Sequence, residues 1–262
     1  MKPGAIEKEL KKIEKKEMQM YSRAENKEIP LWKEKLEEKI PYRVIAGLRK
    51  MFAKAFSLIF EKGTIIIEKT YNKEETEKDF QIRDFAVDLK GSRREFQKLK
   101  RDAIKGNAVS MLFTTAEGII LGSLGIGLPD IVIWVGTLLR GVYETALKYG
   151  FDYESPEEKM FILKILEAAM STGERWARLN LEIDSCIEQG RYNTPEEDEI
   201  KQQIADTSDA FATDMLVVKF IQGMPVVGIL GGAMNPVYYN RIMSYVQIKY
   251  RKRYLIWKKK NM

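Results

Sequence analysis

The carboxylates Asp130, Glu144 and Asp152, with the acidic groups Glu196-Glu197-Asp198-Glu199 and Asp206, Asp209 and Asp214, are the side chains with which this 262-residue chain could do acid, base or metal chemistry. A carboxylate catalyses when a second group orients it or exchanges its proton, and on a helix it holds metal when facing ligands, commonly His, complete the shell. The chain contains no His, which removes Ser-His-Asp catalysis and the commonest zinc ligand sets. Its single cysteine, Cys186, cannot close an intramolecular disulfide. The acidic runs therefore read as solvated helix faces. No catalytic residue, cofactor or metal site is expected, and an enzyme built on Asp130, Glu144 and Asp152 ranks behind non-enzymatic readings.

The glycines of Gly122-Ser123-Leu124-Gly125-Ile126-Gly127 lack both nucleotide-binding patterns, since neither a G-x-G-x-x-G order nor a Lys-Ser/Thr pair is present. Asp130, directly after Pro129, reads as a helix cap whose carboxylate accepts from free amide groups at the start of a helix running through Trp134 to Leu139.

Charge is segregated along the chain. Residues 1–106 carry +8, residues 107–214 carry −11, and residues 215–262 carry +9 with no acid at all. The last of these ends in Lys249-Tyr250-Arg251-Lys252-Arg253-Tyr254-Leu255-Ile256-Trp257-Lys258-Lys259-Lys260, seven basic residues interleaved with aromatics. Each cation near an anionic leaflet is worth about 1 kcal/mol, and Trp and Tyr favour the interfacial zone. Lys249, Tyr250, Arg251, Lys252, Arg253, Tyr254, Trp257, Lys258, Lys259 and Lys260 are thus the expected contacts with a membrane surface. Nucleic acid is not the expected partner, because the central third is acidic and no recognition motif is present.

The elements that would position this tail include two apolar stretches. Gly118–Leu139 is long enough to cross a bilayer but is broken by Pro129 and charged at Asp130. Phe220–Pro236 repeats the character, with Gly223-Met224-Pro225 matching Gly127-Leu128-Pro129. The spacing of Gly118, Gly122 and Gly125, and of Gly228 and Gly232 with Asn235 near the same face, lets backbones approach closely. Such hairpins suit a shallow seat in lipid or a tightly packed protein core, and both readings stay open.

Elsewhere the periodicity is helical. Leu48, Met51, Phe52, Ala55, Phe56 and Ile59 recur at three- and four-residue steps, as do Trp176, Leu179 and Ile183. Ile82, Phe85, Ala86, Leu89, Phe96, Leu99 and Ala103 extend a further helical stripe, with a restart at Ser92, which with Glu95 forms a capping box after Gly91. Ser155-Pro156-Glu157-Glu158 and Thr194-Pro195-Glu196-Glu197 each place a hydroxyl, a proline and acids as a helix start requires. The fold class is all-α, a multi-helix bundle with two short Gly/Pro-interrupted apolar hairpins. Residues 1–40 read as a solvated Lys/Glu-rich helical arm, and residues 41–262 as the helical domain. The start of the chain has no apolar signal region, so a cytoplasmic, membrane-associated location is expected.

Three stretches together resemble the EcsC protein family. They are Gly125-Ile126-Gly127-Leu128-Pro129-Asp130; Leu147-Lys148-Tyr149-Gly150-Phe151-Asp152 running into Ser155-Pro156-Glu157-Glu158-Lys159; and Lys219-Phe220-Ile221 with Pro225-Val226-Val227-Gly228 and Asn235. Gly125, Gly127, Leu128, Pro129, Asp130, Pro225, Val226, Val227, Gly228, Gly232 and Asn235 are the positions assigned to the family motif and hairpin turns. The chain departs from the usual pattern at Gln222-Gly223-Met224 and at Pro236. The resemblance implies an α-helical bacterial protein without accepted catalytic residues, and a link to the subunits of an ABC transporter beside which members are often encoded.

The expected function is therefore a non-enzymatic, peripherally membrane-associated accessory protein that meets an anionic membrane surface or lipid. The alternative is a soluble helical carrier whose two apolar elements line a pocket for a lipid or other hydrophobic ligand.

Overall fold

The computed structural model describes residues 3–25, 40–60, 67–68, 71–90, 92–110, 129–190, 193–221 and 236–261. Nine α-helices and no strand occur among the described residues. They are α1 (Pro3–Glu25), α2 (Tyr42–Leu58), α3 (Lys73–Lys90), α4 (Arg93–Ser110), α5 (Pro129–Lys148), α6 (Pro156–Ala169), α7 (Gly173–Gln189), α8 (Glu197–Ile221) and α9 (Pro236–Lys260). No helix among the described residues is long and apolar enough to cross a membrane.

One half of the core is aromatic and aliphatic. Phe52 and Phe56 of α2 meet Phe211 of α8 at ring-centroid distances of 5.5 and 5.4 Å, and Trp134 of α5 packs on Phe211 at 5.6 Å. These rings lie in the tilted and edge-to-face geometries that aromatic quadrupoles favour. The stripe expected from Leu48 to Ile59 is buried except at Met51, which is partly covered. The stripes of α6 and α7 are buried as their periodicity requires, through Phe161, Ile162, Ile165 and Leu166 and through Trp176, Leu179 and Ile183.

Around this half, α9 runs as an axis that touches α1, α4, α5, α6 and α7. Gly141 lets α9 come close to α5, because a Cβ there would strike the Tyr239 ring. Gly150 ends the turn after α5 at φ +80°, a conformation that L side chains rarely adopt, and the Phe80 ring of α3 packs against it.

Two helix starts written alike in the sequence differ in the fold. Ser155 caps α6, its Oγ accepting from the Glu158 amide at 3.1 Å with Pro156 in the first turn. Thr194 does not cap α8, which starts at Glu197; its hydroxyl donates to Glu157, while Glu199 reaches back to accept from the Glu196 amide at 2.8 Å. The glutamate-rich sequence after Pro195 supplies its own cap, so the threonine is released to join α8 to α6.

The expected solvated arm is a packed helix instead. Ile6, Glu9, Ile13 and Glu17 recur at steps of three and four on one face of α1, all four are buried, and α1 packs on α9, α7 and α4. Two acids on an apolar stripe are what let α1 lie against a cationic helix rather than in water.

Candidate functional site

The cationic end of α9 is turned inward. Lys249 is 0% exposed, with Nζ 2.5 Å from Glu17 Oε1 and 2.6 Å from Asp184 Oδ1. Lys252 shares the same two acids at 2.9 and 3.0 Å. Burial pulls Lys252 toward its neutral form, but the carboxylates of Asp184 and Glu17 outweigh it and hold its pKa above the ordinary lysine value. Arg251 donates to Glu9, a buried carboxylate that also takes Lys12 at 2.6 Å, Gln97 at 2.7 Å and Arg93 at 3.1 Å. Burial lowers the Arg251 pKa to about 10.

Two further rungs complete the ladder. Glu158 of α6 accepts from the Tyr250 hydroxyl at 2.5 Å and from Arg253 Nη1 at 2.6 and 2.9 Å. Burial raises the Glu158 pKa, and Arg253 and Tyr250 only partly offset it. Asp84 of α3 accepts from the Tyr254 hydroxyl at 2.8 Å, and Lys258 bridges Asp84 and Asp88 at 2.8 and 2.7 Å. Buried charge is costly unless paired, and the rungs are satisfied by acids drawn from four helices: α1, α7, α6 and α3.

Lys249, Tyr250, Arg251, Lys252, Tyr254 and Lys258, expected at a membrane surface, are buried against the protein's own helices, and Arg253 is held on Glu158 and over the Phe151 and Phe161 rings. The physical reason is complementarity: acids scattered over the rest of the chain supply the anions expected of a bilayer. At the tip the picture differs. Trp257 is 46% exposed, and Lys259 and Lys260 are exposed, with Lys260 donating to the Glu188 carbonyl at the end of α7.

The opposite arrangement occurs on α3. Phe80 and Val87 turn toward the core and Asp84 and Asp88 toward Lys258, while Ile82, Phe85 and Leu89 stand 68%, 64% and 69% exposed. Their spacing of three and four puts them on one face, which points away from Phe80 and Val87. Along the helical stripe read from Ile82 to Ala103, Phe96, Leu99 and Ala103 are buried, whereas Ile82, Phe85 and Leu89 are exposed. Scattered single exposed apolar residues are ordinary on a protein surface, but three on one face form a patch. The patch runs toward exposed Lys90, Arg93 and Arg94 at its C-terminal end, and the Lys258 bridge sets the tip of α9 beside it. Glu74, Glu75 and Asp79 are exposed at the other end of α3.

The model of the EcsC protein family matches residues 5–255. This chain belongs to the EcsC protein family. No curated protein and no solved structure gives a match. The EcsC match begins inside α1, which agrees with α1 being packed into the fold rather than held apart from it.

Of the positions that carry the EcsC motifs, Pro129 and Asp130 are the first two residues of α5, so Asp130 lies inside the helix rather than before it. Gly125, Gly127, Leu128, Pro225, Val226, Val227, Gly228, Gly232 and Asn235 lie outside the described residues. Glu144 and Asp152 are already engaged. Glu144 is held between Arg140 at 3.0 Å and Lys148 at 3.3 Å, and Asp152 accepts from the Glu154 amide at 3.1 Å. Asp209 pairs with Arg49 and Arg175, and Asp214 with Arg241. The side chains that the sequence reading missed are the acids of the ladder. Glu9 and Glu17 carried a signal, since each interrupts an apolar stripe at the position where an aliphatic residue is expected.

Proposed function

We propose that this EcsC family member is a non-enzymatic, peripherally membrane-associated protein that docks on an anionic bilayer through the outward face of α3 and the tip of α9. The observation that carries the reading is the exposure of Ile82, Phe85 and Leu89 on one helix face. Burying a large apolar side chain is worth about 1.5–3 kcal/mol, and each nearby cation adds about 1 kcal/mol at an anionic surface. Lys90, Arg94 and Lys259 supply those cations, and Trp257 supplies an interfacial anchor. The exposed acids Glu74, Glu75 and Asp79 at the start of α3 tilt the helix, so that its C-terminal half enters the interface first. Such a seat puts the protein among membrane subunits, such as those of an ABC transporter. The reading needs no reaction, and it leaves Glu144 with Arg140 and Lys148.

The test is flotation of the purified protein with vesicles of phosphatidylcholine, with and without phosphatidylglycerol. The protein is expected to float with the anionic vesicles and not with the neutral ones. Phe85→Ser should weaken binding by about thirtyfold, the equivalent of about 2 kcal/mol, and the triple change at Ile82, Phe85 and Leu89 should abolish it. Wild-type binding by the triple variant removes this docking surface. Failure of the wild type to bind anionic vesicles removes the membrane and leaves the patch to a protein partner.

A further inference from the structure

A cleft of about 470 Å³ opens between α1, α4 and α9, and no residue of α3 lines it. It is lined by the apolar side chains of Ile13, Met20, Ile104, Tyr149 and Ile248, of which Ile104 is 40% exposed, and by the cations Lys16, Lys100 and Arg251. Its volume is in the range that holds one small ligand, and apolar walls with a few convergent polar groups are the ordinary build of such a site.

The charge in this region is unbalanced. Among the described residues, no carboxylate side chain lines the cleft. The nearest buried acid, Glu9, is already shared by Arg251, Arg93 and Lys12, three cations on one carboxylate. Lys16 and Lys100 make no ion pair among the described residues. Their mutual repulsion registers on Lys100, whose pKa is lowered by burial and then by Lys16 and Lys12. Arg251 is likewise held at a cost by burial. A cluster of cations that disfavour one another gains most from an anion placed among them. Elsewhere on α9 the opposite holds, since Lys249 and Lys252 together face two carboxylates.

We infer that this cleft binds an anionic amphiphile, a phosphate or carboxylate head received by Lys16, Lys100 and Arg251 with one hydrocarbon chain lying against Ile13, Ile104, Tyr149 and Ile248. The head supplies the missing negative charge, and the chain removes from water the apolar surface that Ile104 and Met20 leave open, Ile13, Tyr149 and Ile248 being already buried. Gln19, Ser244 and Gln247 add neutral hydrogen-bonding groups around the head. The site is independent of the α3 face, so failure of vesicle flotation leaves it intact, and its own failure leaves the docking proposal intact.

The experiment is calorimetric titration of the full chain with dodecyl phosphate, dodecanoate, dodecanol and inorganic phosphate, the amphiphiles kept below their micelle concentrations. Dodecyl phosphate and dodecanoate are expected to bind, and the tighter of the two identifies a phosphate-headed or a carboxylate-headed ligand. Dodecanol and inorganic phosphate should each bind at least about tenfold more weakly, because one lacks the charge and the other the chain. Lys100→Met should weaken the anionic amphiphiles by about tenfold, with Lys98→Met, on the same helix but outside the cleft, as the control for folding. Ile104→Glu, at a position that is 40% exposed and so tolerant of a polar side chain, should weaken them as well by placing a negative charge at the mouth. The inference is overturned if no anionic amphiphile binds, if dodecanol or inorganic phosphate binds as tightly, or if Lys100→Met and Ile104→Glu both bind as the wild type does.

Discussion

Helices α9 and α3 invert the usual rule of placement. The helix with seven cations in its last twelve residues is buried, and a helix with Ile82, Phe85 and Leu89 on one face shows that face to solvent. Side-chain type alone did not decide either outcome. What decided them was the supply of complementary groups: acids on four other helices for α9, and, among the described residues, no covering element for the outward face of α3. A charge with two carboxylates within 3 Å is cheaper inside the protein than a charge with none, whereas an aliphatic side chain with no neighbour gains nothing from being aliphatic.

The contrast is most easily broken at Lys249. Lys249→Met leaves Glu17 and Asp184 sharing Lys252 alone, and removing one member of a buried ion group typically costs about 3–5 kcal/mol. Urea unfolding followed by circular dichroism should show this loss, and Lys258→Gln should lose about 2 kcal/mol by stranding Asp84 and Asp88. Ile82→Ser on α3 should stay within about 0.5 kcal/mol of the wild type. Equal stabilities for Lys249→Met and Ile82→Ser would mean that the α9 charges are not what fixes that helix.

That first test also marks how far the sequence could be read. The all-α class, the α2, α6 and α7 stripes and the Ser155 cap were legible because each depends on residues within a turn or two of one another. The ladder was not, because Lys249 and Glu17 are 232 residues apart and Lys258 and Asp84 are 174 apart. A local window sees only a cationic aromatic tail, which is also the pattern of a membrane anchor. The segregation of charge did hint at the answer: a segment with nine cations and no acids must find anions outside itself. On α3 the periodicity correctly gave a helix with an apolar face, but periodicity carries no information on whether anything covers that face. Phe80 and Val87, which point inward, are fewer than the residues that point out.

A smaller effect sharpens the comparison through pH. Burial raises the pKa of Tyr245 and Tyr254 on α9 and of Tyr149, whose ring packs on Tyr254, with Asp84 adding to Tyr254. A raised folded-state pKa means that the native form keeps a proton that the unfolded chain gives up. These groups therefore contribute fully below the unfolded tyrosine value of about 10, and stability falls as the pH rises above it, by about 1.4 kcal/mol per tyrosine per pH unit. Lys252 acts in the same direction, its contribution being complete below 10.5 and lost as the pH rises through its higher folded value. Tyrosinate absorbance and unfolding should thus rise together above pH 10. Free ionisation of these tyrosines at pH 10 in a still folded protein would show that α9 is not enclosed. α3 contains no tyrosine and takes part only through Asp84 and Asp88, which face Tyr254.

The finest division lies within the last residues of α9, between neighbours of the same type. Lys258 is buried on Asp84 and Asp88, while Lys259 is 55% exposed and sits 3.9 Å from Glu7, itself 58% exposed. A pair so placed is strongly screened and contributes little to stability. Lys259→Gln should therefore leave urea unfolding unchanged and weaken binding to phosphatidylglycerol vesicles by about fivefold, the equivalent of about 1 kcal/mol, with the difference shrinking as salt is added. If Lys259→Gln instead destabilised the fold and left vesicle binding alone, the tip of α9 would be one more rung of the ladder, and the docking surface would reduce to α3 alone.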